Sequence, residues 1–435
     1  MTSDVQPEGG IFHGWKLVGA LCCILFFTAG GGLYVFPVFI GPLQREFGWS
    51  MTQVSGAGAV FAVSMGLSNP LVGTLFARFG TRKVMLVAAG MTVLTSLAYA
   101  GLQNLAMLYA IAFFAGIGVA ATTLLPAQTL VTNWFRVLRG RAMGITLLGI
   151  GAGGLALPPF NELMIRLVGW RMAWVVAAGI IAGIVIPLIA VFVRTGPAEL
   201  GLVADGARST TDAPAGGGAP PAAIGLSLKR AAATQTFWLL ISIFLLQLIA
   251  VSAMNFHFVP FATQEVGFTP QTAAFYYGLA VGFSIPGRLG FGWLADRWSP
   301  ERLLALSFLL LALGPVVVEV LLRLGLSDAR LLWLYAIPFG VGIGGNAVTM
   351  PILVGRCFGE LHFAKIMGLL MSGFAVGILV GIPGAAAIFD RTGSYEWVLL
   401  LCAFGLSLAL LLCLLIAPNR YHEEFRSGRS SAVLP

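Results

Sequence analysis

The chain has 435 residues, of which 58% are hydrophobic and only 10% charged, with a formal net charge of +8. A soluble globular domain carries about 25% charged residues, so this composition excludes a soluble enzyme and points to a chain that crosses a membrane many times. The basic charge sits in short turns between apolar runs, which reads as membrane topology and not as a nucleic-acid surface.

Residues 1–13 contain Asp4 and Glu8 and lack a basic leader, and the apolar run that follows is too long for a signal peptide. It reads as a retained first span. Apolar runs of 18 or more residues are candidate spans, and twelve follow in order: 15–41, 52–77, 84–102, 105–131, 141–167, 172–193, 235–262, 271–294, 303–323, 331–355, 366–388 and 397–417. With both termini placed in the cytoplasm, eighteen of the 25 Lys and Arg fall in inner segments and six in outer ones. That bias is the positive-inside pattern, and a bacterial inner membrane is the expected location. Residues 195–228 have few large apolar side chains and many Gly, Pro and Ala, and read as a flexible cytoplasmic linker. The chain thus divides into a six-span half at 1–194, the linker, a second half at 229–418 and a tail at 419–435. The fold class expected is an all-α membrane protein of twelve helices in two bundles.

The halves repeat. Gly116 and Gly118 answer to Gly340 and Gly342, Pro126 to Pro351, Phe135 to Phe358, Met143-Gly144 to Met367-Gly368, and Trp170 to Trp397. Order and offset are kept throughout. A parallel repeat of this kind is a transporter signature, with the site between the halves near the midplane. The second and eighth spans share a start signal: Ser50 with Gln53 makes a capping-box pattern, and Thr269 followed by Pro270 gives an N-cap and an N1 proline.

One charge stands apart. Arg288 falls inside the eighth span, and the interiors of the other spans carry no Asp, Glu, Lys or second Arg by the same reading. A guanidinium in a bilayer costs about 2.5–3.5 kcal/mol on insertion scales and faces a cavity, a partner charge or a substrate. With no fixed partner, a ligand that comes and goes is the expected counter-ion. Other polar interior residues, Tyr34, Thr123, Gln247, Ser284 and Asn346, are candidates to line the path. His257, late in the seventh span, is a candidate proton carrier or gate, since an imidazole titrates near neutral pH; counting residues puts it in the outer third and Arg288 in the inner third. The glycine clusters at 149–154 and 340–345 look faintly like dinucleotide loops. They lie inside spans at GxxxG spacing, so close helix packing is expected of them. The five cysteines, Cys22, Cys23, Cys357, Cys402 and Cys413, form no CxxC pair, so neither a disulfide framework nor a metal site is expected, nor any cofactor.

The turn after the eighth span, with Gly292, Asp296 and Arg297, resembles the charged-turn motif of the major facilitator superfamily. Its first copy, after the second span, is Gly73, Ala77, Arg78, Gly80, Arg82 and Lys83. The acidic position is Ala77 there, and the later glycine is Ser299 in the second copy. In that family the motif latches one conformation; the resemblance implies a latch at Asp296, Arg297, Gly73 and Arg78, with the second copy the better preserved. Within the superfamily, three places resemble the monocarboxylate transporters and oxalate–formate antiporters: Gly14-Trp15, the run from Trp134 and Phe135 through Arg139 and Arg141 to Gly144, and Gly287-Arg288. The likeness covers most of the chain. It implies that Arg288 binds substrate. The carboxylate that many members carry four residues earlier is Ser284 here, and the eleventh span has no deep lysine; one cation suits a monoanion.

The reading is therefore a secondary transporter, not an enzyme, that moves a small organic monocarboxylate with a proton by alternating access. Its partners are that anion, the proton and the bilayer, with no nucleic acid, and the chain is expected to be a monomer. Anion exchange and efflux of hydrophobic compounds are the alternatives on the same fold. From another class, a membrane-embedded enzyme or sensor has no nucleophile motif or catalytic domain to support it.

Overall fold

The computed structural model describes residues 12–205, 225–324 and 329–416. Most of the expected linker and all of the tail therefore lie outside the described residues. The rest is almost wholly helical. The N-terminal half contains α1 (His13–Tyr34), α2 (Met51–Phe79), α3 (Thr81–Ala100), α4 (Leu105–Trp134), α5 (Arg139–Val168) and α6 (Trp170–Phe192). The C-terminal half contains α7 (Gln235–Gln264), α8 (Pro270–Ala295), α9 (Pro300–Arg323), α10 (Trp333–Phe358), α11 (Phe363–Thr392) and α12 (Glu396–Leu414). Among the described residues eleven helices are long and apolar enough to cross a membrane; α8, of 26 residues, completes two sets of six. Helices are the spans because a bilayer offers the backbone no other hydrogen-bond partner. The protein is a multi-pass membrane protein. The face where α6 ends and α7 begins is called the linker face below, and the opposite one the far face.

Helix starts follow local chemistry. Ser50 accepts from the Gln53 amide at 3.2 Å while the Gln53 side chain accepts from the Ser50 amide at 2.9 Å, a complete capping box. Thr269 accepts from the Thr272 amide at 3.2 Å, with Pro270 at the first helical position. Gly80, at φ 83°, makes the tight turn between α2 and α3, a conformation that strains any residue with a β carbon.

Prolines interrupt helices where hydropathy alone predicts smooth spans; α6, for one, widens into a π turn at Ile181–Val185 just before Pro187. The first span divides at Val35 into α1 and a short helix, Phe36–Phe47, with Pro37 in its first turn. α4 breaks between Ala120 and Leu124. Pro126 cannot donate to the Thr122 carbonyl four residues earlier, and the Thr28 hydroxyl, 3.4 Å away on α1, donates to that carbonyl instead. α11 widens into a π turn at Gly377–Gly381, just before Pro383.

The glycine clusters are contact surfaces between helices, as GxxxG spacing permits. A β carbon at Gly149 would lie 2.0 Å from the Cys22 carbonyl oxygen, and one at Gly153 would lie 2.2 Å from that of Phe26, so α5 rides on the backbone of α1. On the other side, Gly340 and Gly344 of α10 meet the carbonyls of Ala280 and Ser284 on α8, at 2.1 and 2.2 Å on the same measure. The motif residues Trp15 and Phe135 pack edge-on with their centroids 5.0 Å apart.

Both ends of the expected linker are built into the linker face. The Asp205 carboxylate accepts from the Leu138 amide at 2.8 Å and from the Arg136 amide. The Leu226 amide donates to the Phe358 carbonyl at 2.8 Å. Phe135 and Phe358 are repeat-equivalent, so the two flanks dock on equivalent loops of the two halves. The boundaries at 195 and 228 therefore enclose ordered chain at both ends: 195–205, with the 3-10 turn Pro197–Leu200, and 225–228. The low-complexity composition covers only the part between.

Candidate functional site

The two halves close on each other at the linker face. On one side α8 crosses α5: a β carbon at Gly140 would lie 2.3 Å from the Gly292 carbonyl oxygen, and one at Gly144 would lie 2.7 Å from that of Arg288. On the other side α2 crosses α11, with Gly73 against the Ala364 carbonyl oxygen at 2.2 Å and Gly368 against that of Asn69 at 2.5 Å on the same measure. These are repeat-equivalent seams.

Charges fasten the closed face at two places. Asp296, at the end of α8, accepts from the amides of Gly140 at 2.7 Å and Arg141 at 3.3 Å, and the Arg141 guanidinium lies 3.3 Å from it. A carboxylate of one half thus caps the first turn of a helix in the other, where unpaired amides and the helix dipole favour negative charge. Burial raises the Asp296 carboxyl above the ordinary range, and the two amides and Arg141 pull it back. Glu360, in the turn before α11, pairs with Arg139 at 2.6 Å and Arg136 at 3.4 Å. Neither Arg136 nor Glu360 stands among the residues that sequence reasoning picked for a latch. The repeat holds the signal: opposite charges fall in the equivalent loops after Phe135 and Phe358. Of the remaining latch candidates, Arg297 stacks on Trp293 at 3.8 Å and Arg78 on Phe79 at 5.2 Å, each within its own half. At Ala77, where the first motif copy lacks its carboxylate, the α2–α11 seam is made by glycine and backbone.

Above these seams a cavity of about 680 Å³ lies between the halves, lined from α1, α2, α4, α5, α7 and α11 among others. It runs from Phe27 and Thr123 to Ile40, Ser55 and Phe160, toward the far face. The arrangement is closed at the linker face and open at the far one. Apolar side chains dominate the wall, with aromatic rings such as Phe61, Trp174 and Phe374 among them; Asn161, Asn255 and several hydroxyls supply polarity, and no charged side chain lines it among the described residues.

Of the predicted substrate-binding residues, Tyr34 and Thr123 line this cavity. Thr123 sits in the break of α4 and donates to the Val119 carbonyl at 2.8 Å. Arg288 is 6% exposed, with its Nε and Nη1 buried and without hydrogen-bond partners. It makes no ion pair among the described residues. A β carbon at Gly151 would lie 2.8 Å from its Nη1, and one at Gly154, three residues further along α5, would lie 3.0 Å from the Tyr34 ring. Arg288 therefore stands against α5 and α10, behind the cavity wall near Tyr34 and not itself among the lining residues. Ser284, one turn before it, is buried and donates to the Val281 carbonyl at 2.6 Å within its own helix. Asn346 and Gln247 are buried with orphaned side-chain atoms, Nδ2 and Oε1, and neither lines the cavity.

One buried tyrosine escaped sequence reasoning. Tyr335 is fully buried, stacked on Phe258 at 4.5 Å, with its hydroxyl unpartnered. Helical spacing gives no hint of this, because Phe258 comes from another helix. The expectation that no acid lies inside a span is corrected at Glu319. It is 5% exposed on α9 and pairs with Arg323 at 2.6 Å, which also meets Glu396 at 2.8 Å. Its partner is local, and it does not neutralise Arg288.

His257 is tied on both nitrogens: Nε2 lies 3.0 Å from the Ile382 carbonyl and Nδ1 lies 3.2 Å from the Tyr395 hydroxyl. A carbonyl only accepts, so Nε2 carries a proton and donates. The ring joins α7 to α11 and to the start of α12 near the far face, beside the cavity-lining Ile382.

Known proteins agree with this architecture. The profile of the Major Facilitator Superfamily matches residues 22–322. Monocarboxylate transporter 11 of Homo sapiens is 28% identical over 404 residues, which cover 90% of this chain and 80% of that protein. Monocarboxylate transporter 12-B of Danio rerio is 24% identical over 99% of this chain and 92% of that protein. Among solved structures, the transporter FucP in the outward conformation superposes with a TM-score of 0.70 at 15% identity, covering 94% of this chain and 100% of that one. The proton:xylose symporter XylE, bound to 6-bromo-6-deoxy-D-glucose, reaches 0.69 at 12% identity over 93% of this chain and 96% of that one.

Proposed function

The chain belongs to the major facilitator superfamily of membrane transporters, and we propose that it carries a small organic monocarboxylate, with Arg288 as the residue that binds the carboxylate. The observation that carries this reading is a buried guanidinium with two orphaned nitrogens beside the wall of an inter-bundle cavity. An unpaired charge in the membrane interior is costly, and an arginine fork pairs with a carboxylate through two charge-assisted bonds. The relatives named as monocarboxylate transporters support the same substrate class.

Substrate entering from the far face meets Tyr34 and then Arg288. Neutralising Arg288 removes the cost of carrying a bare charge past apolar walls, and the halves rock about it. The seams at Asp296 and Glu360 open as the far-face contacts close. Proton coupling through His257 is the leading reading, with the linker face cytoplasmic on the basic bias of its turns. Exchange is the second reading, favoured by the lack of a charged side chain on the cavity wall among the described residues: an arginine with no built-in counter-ion returns most readily when loaded.

The test is uptake of a carboxylate panel into proteoliposomes. Symport predicts accumulation driven by an inward proton gradient. Uptake that needs substrate on the trans side assigns exchange, and transport of hydrophobic compounds without any carboxylate overturns the substrate class.

A further inference from the structure

A second cavity, of about 750 Å³, lies in the C-terminal half at the linker face, away from the transport path. Arg297, Trp298, Glu301, Arg302, Leu306 and Arg356 line it. Three cations face one carboxylate. Glu301 is already paired with Arg356 at 3.4 Å, and neighbouring Asp296 is taken by α5. Arg302 has no carboxylate partner among the described residues, and Arg297 is held against the ring of Trp293. The first turn of α9 opens on the same cavity, adding the partial positive charge of a helix start.

The equivalent corner of the N-terminal half gives the comparison. Phe135 answers to Phe358, so Asn133 answers to Arg356. In the N-terminal half that corner is filled by the chain leaving α6. Asn133 donates to the Thr195 carbonyl at 2.9 Å and the Trp134 indole to the Arg194 carbonyl at 3.0 Å, while Arg82 donates to the Ala190 carbonyl. There, neutral and basic donors meet backbone oxygen. In the C-terminal half the position of Asn133 has become an arginine, Arg297 and Arg302 join it, and no described residue fills the corner.

We propose that this corner binds the phosphate of an anionic phospholipid from the leaflet at the linker face. Its depth suits a headgroup, because Arg297 and Arg302 flank the turn where α8 ends and α9 begins. Two features favour a lipid over free phosphate. Trp293 and Trp298 are exposed at 44% and 55%, the placing of aromatic residues at a membrane interface. Leu306 continues the cavity along α9 toward the bilayer interior and offers apolar contact to an acyl chain. Arginine suits the headgroup because its fork matches phosphate oxygens.

The experiment reads tryptophan quenching of the purified full-length protein in mixed micelles by dibrominated phosphatidylglycerol or phosphatidylcholine at equal mole fraction. The glycerol lipid is expected to quench more, and Trp298→Phe to remove part of that excess. The excess affinity should fall about fivefold for each arginine removed in Arg297→Gln and Arg302→Gln, and vanish in the double variant. The double Lys variant keeps the charge and should keep most of the preference, which separates a binding loss from a folding loss. Equal quenching by the two lipids, or a preference unmoved by the double Gln variant, would overturn the assignment. Displacement by millimolar inorganic phosphate would also overturn it, in favour of a soluble anion. Loss of the preference on deleting residues 419–435 would give the lipid to the arginines of the tail, Arg420, Arg426 and Arg429, and would likewise overturn the assignment.

Discussion

Gly151 is the residue on which the position of Arg288 most visibly depends. A methyl group there would lie 2.7 Å from Ile285 and 2.8 Å from the Arg288 Nη1. Overpacking of this kind costs about 1–3 kcal/mol, so Gly151→Ala is expected to weaken carboxylate binding roughly tenfold or more while the protein stays folded. Gly290, where an added β carbon meets nothing within 4 Å, is the control: Gly290→Ala should bind as the native protein does. Equal affinities for the two would show that the guanidinium is not seated against Gly151. His257 offers a different readout. Its ring donates to Ile382 and meets Tyr395, so His257→Gln keeps one amide donor for the carbonyl and loses the imidazole. Binding should survive and the pH dependence of uptake should flatten; an unaltered pH–rate profile would move the proton route elsewhere. At this scale the sequence was informative about charge and silent about partnership. Arg288 stood out because it interrupts an apolar run. The orphaned state of its nitrogens depends on which faces of the neighbouring helices meet it.

Among the elements, the seams at the linker face decide which way the cavity opens. Asp296 contributes two backbone bonds and one ion pair across the α5–α8 seam, and Glu360 two ion pairs between the loops. A hydrogen bond to a charged group contributes about 1.5–3 kcal/mol, so losing one shifts a two-state equilibrium by roughly one to two decades. Asp296→Asn and Glu360→Gln should each populate a form open at the linker face. Spin labels on the loops before α5 and before α11 would read this as a longer distance; an unchanged distribution in both variants would remove these groups from the latch. Helix identity and number followed from apolar runs and the capping signals at Ser50 and Thr269. The breaks at Val35, in α4 and in α11 did not follow from hydropathy, although Pro37, Pro126 and Pro383 announce them: a proline marks a lost donor, and only the packed neighbours show whether the chain kinks, widens or stops there.

For the whole molecule, the linker's two flanks tie equivalent loops of the two halves, through Asp205 on one side and Leu226 on the other. Deleting Thr210–Pro221, which spares both flanks, should leave transport intact, whereas Asp205→Ala should weaken the closed linker face. Loss of folding on that deletion would contradict the division at this point. Composition read the stretch as uniform because Gly, Pro and Ala dominate it, and it could not show that its ends carry specific bonds. The account as a whole rests on one buried cation acting as the substrate's counter-ion, so its most direct test is equilibrium binding of a monocarboxylate to purified, monodisperse Arg288→Lys beside the native protein. Lysine keeps the charge and the reach to the surface but loses the two-pronged geometry. The account predicts that Arg288→Lys folds and loses most of its affinity, at least tenfold, which corresponds to about 1.4 kcal/mol; near-native affinity would remove Arg288 from the site.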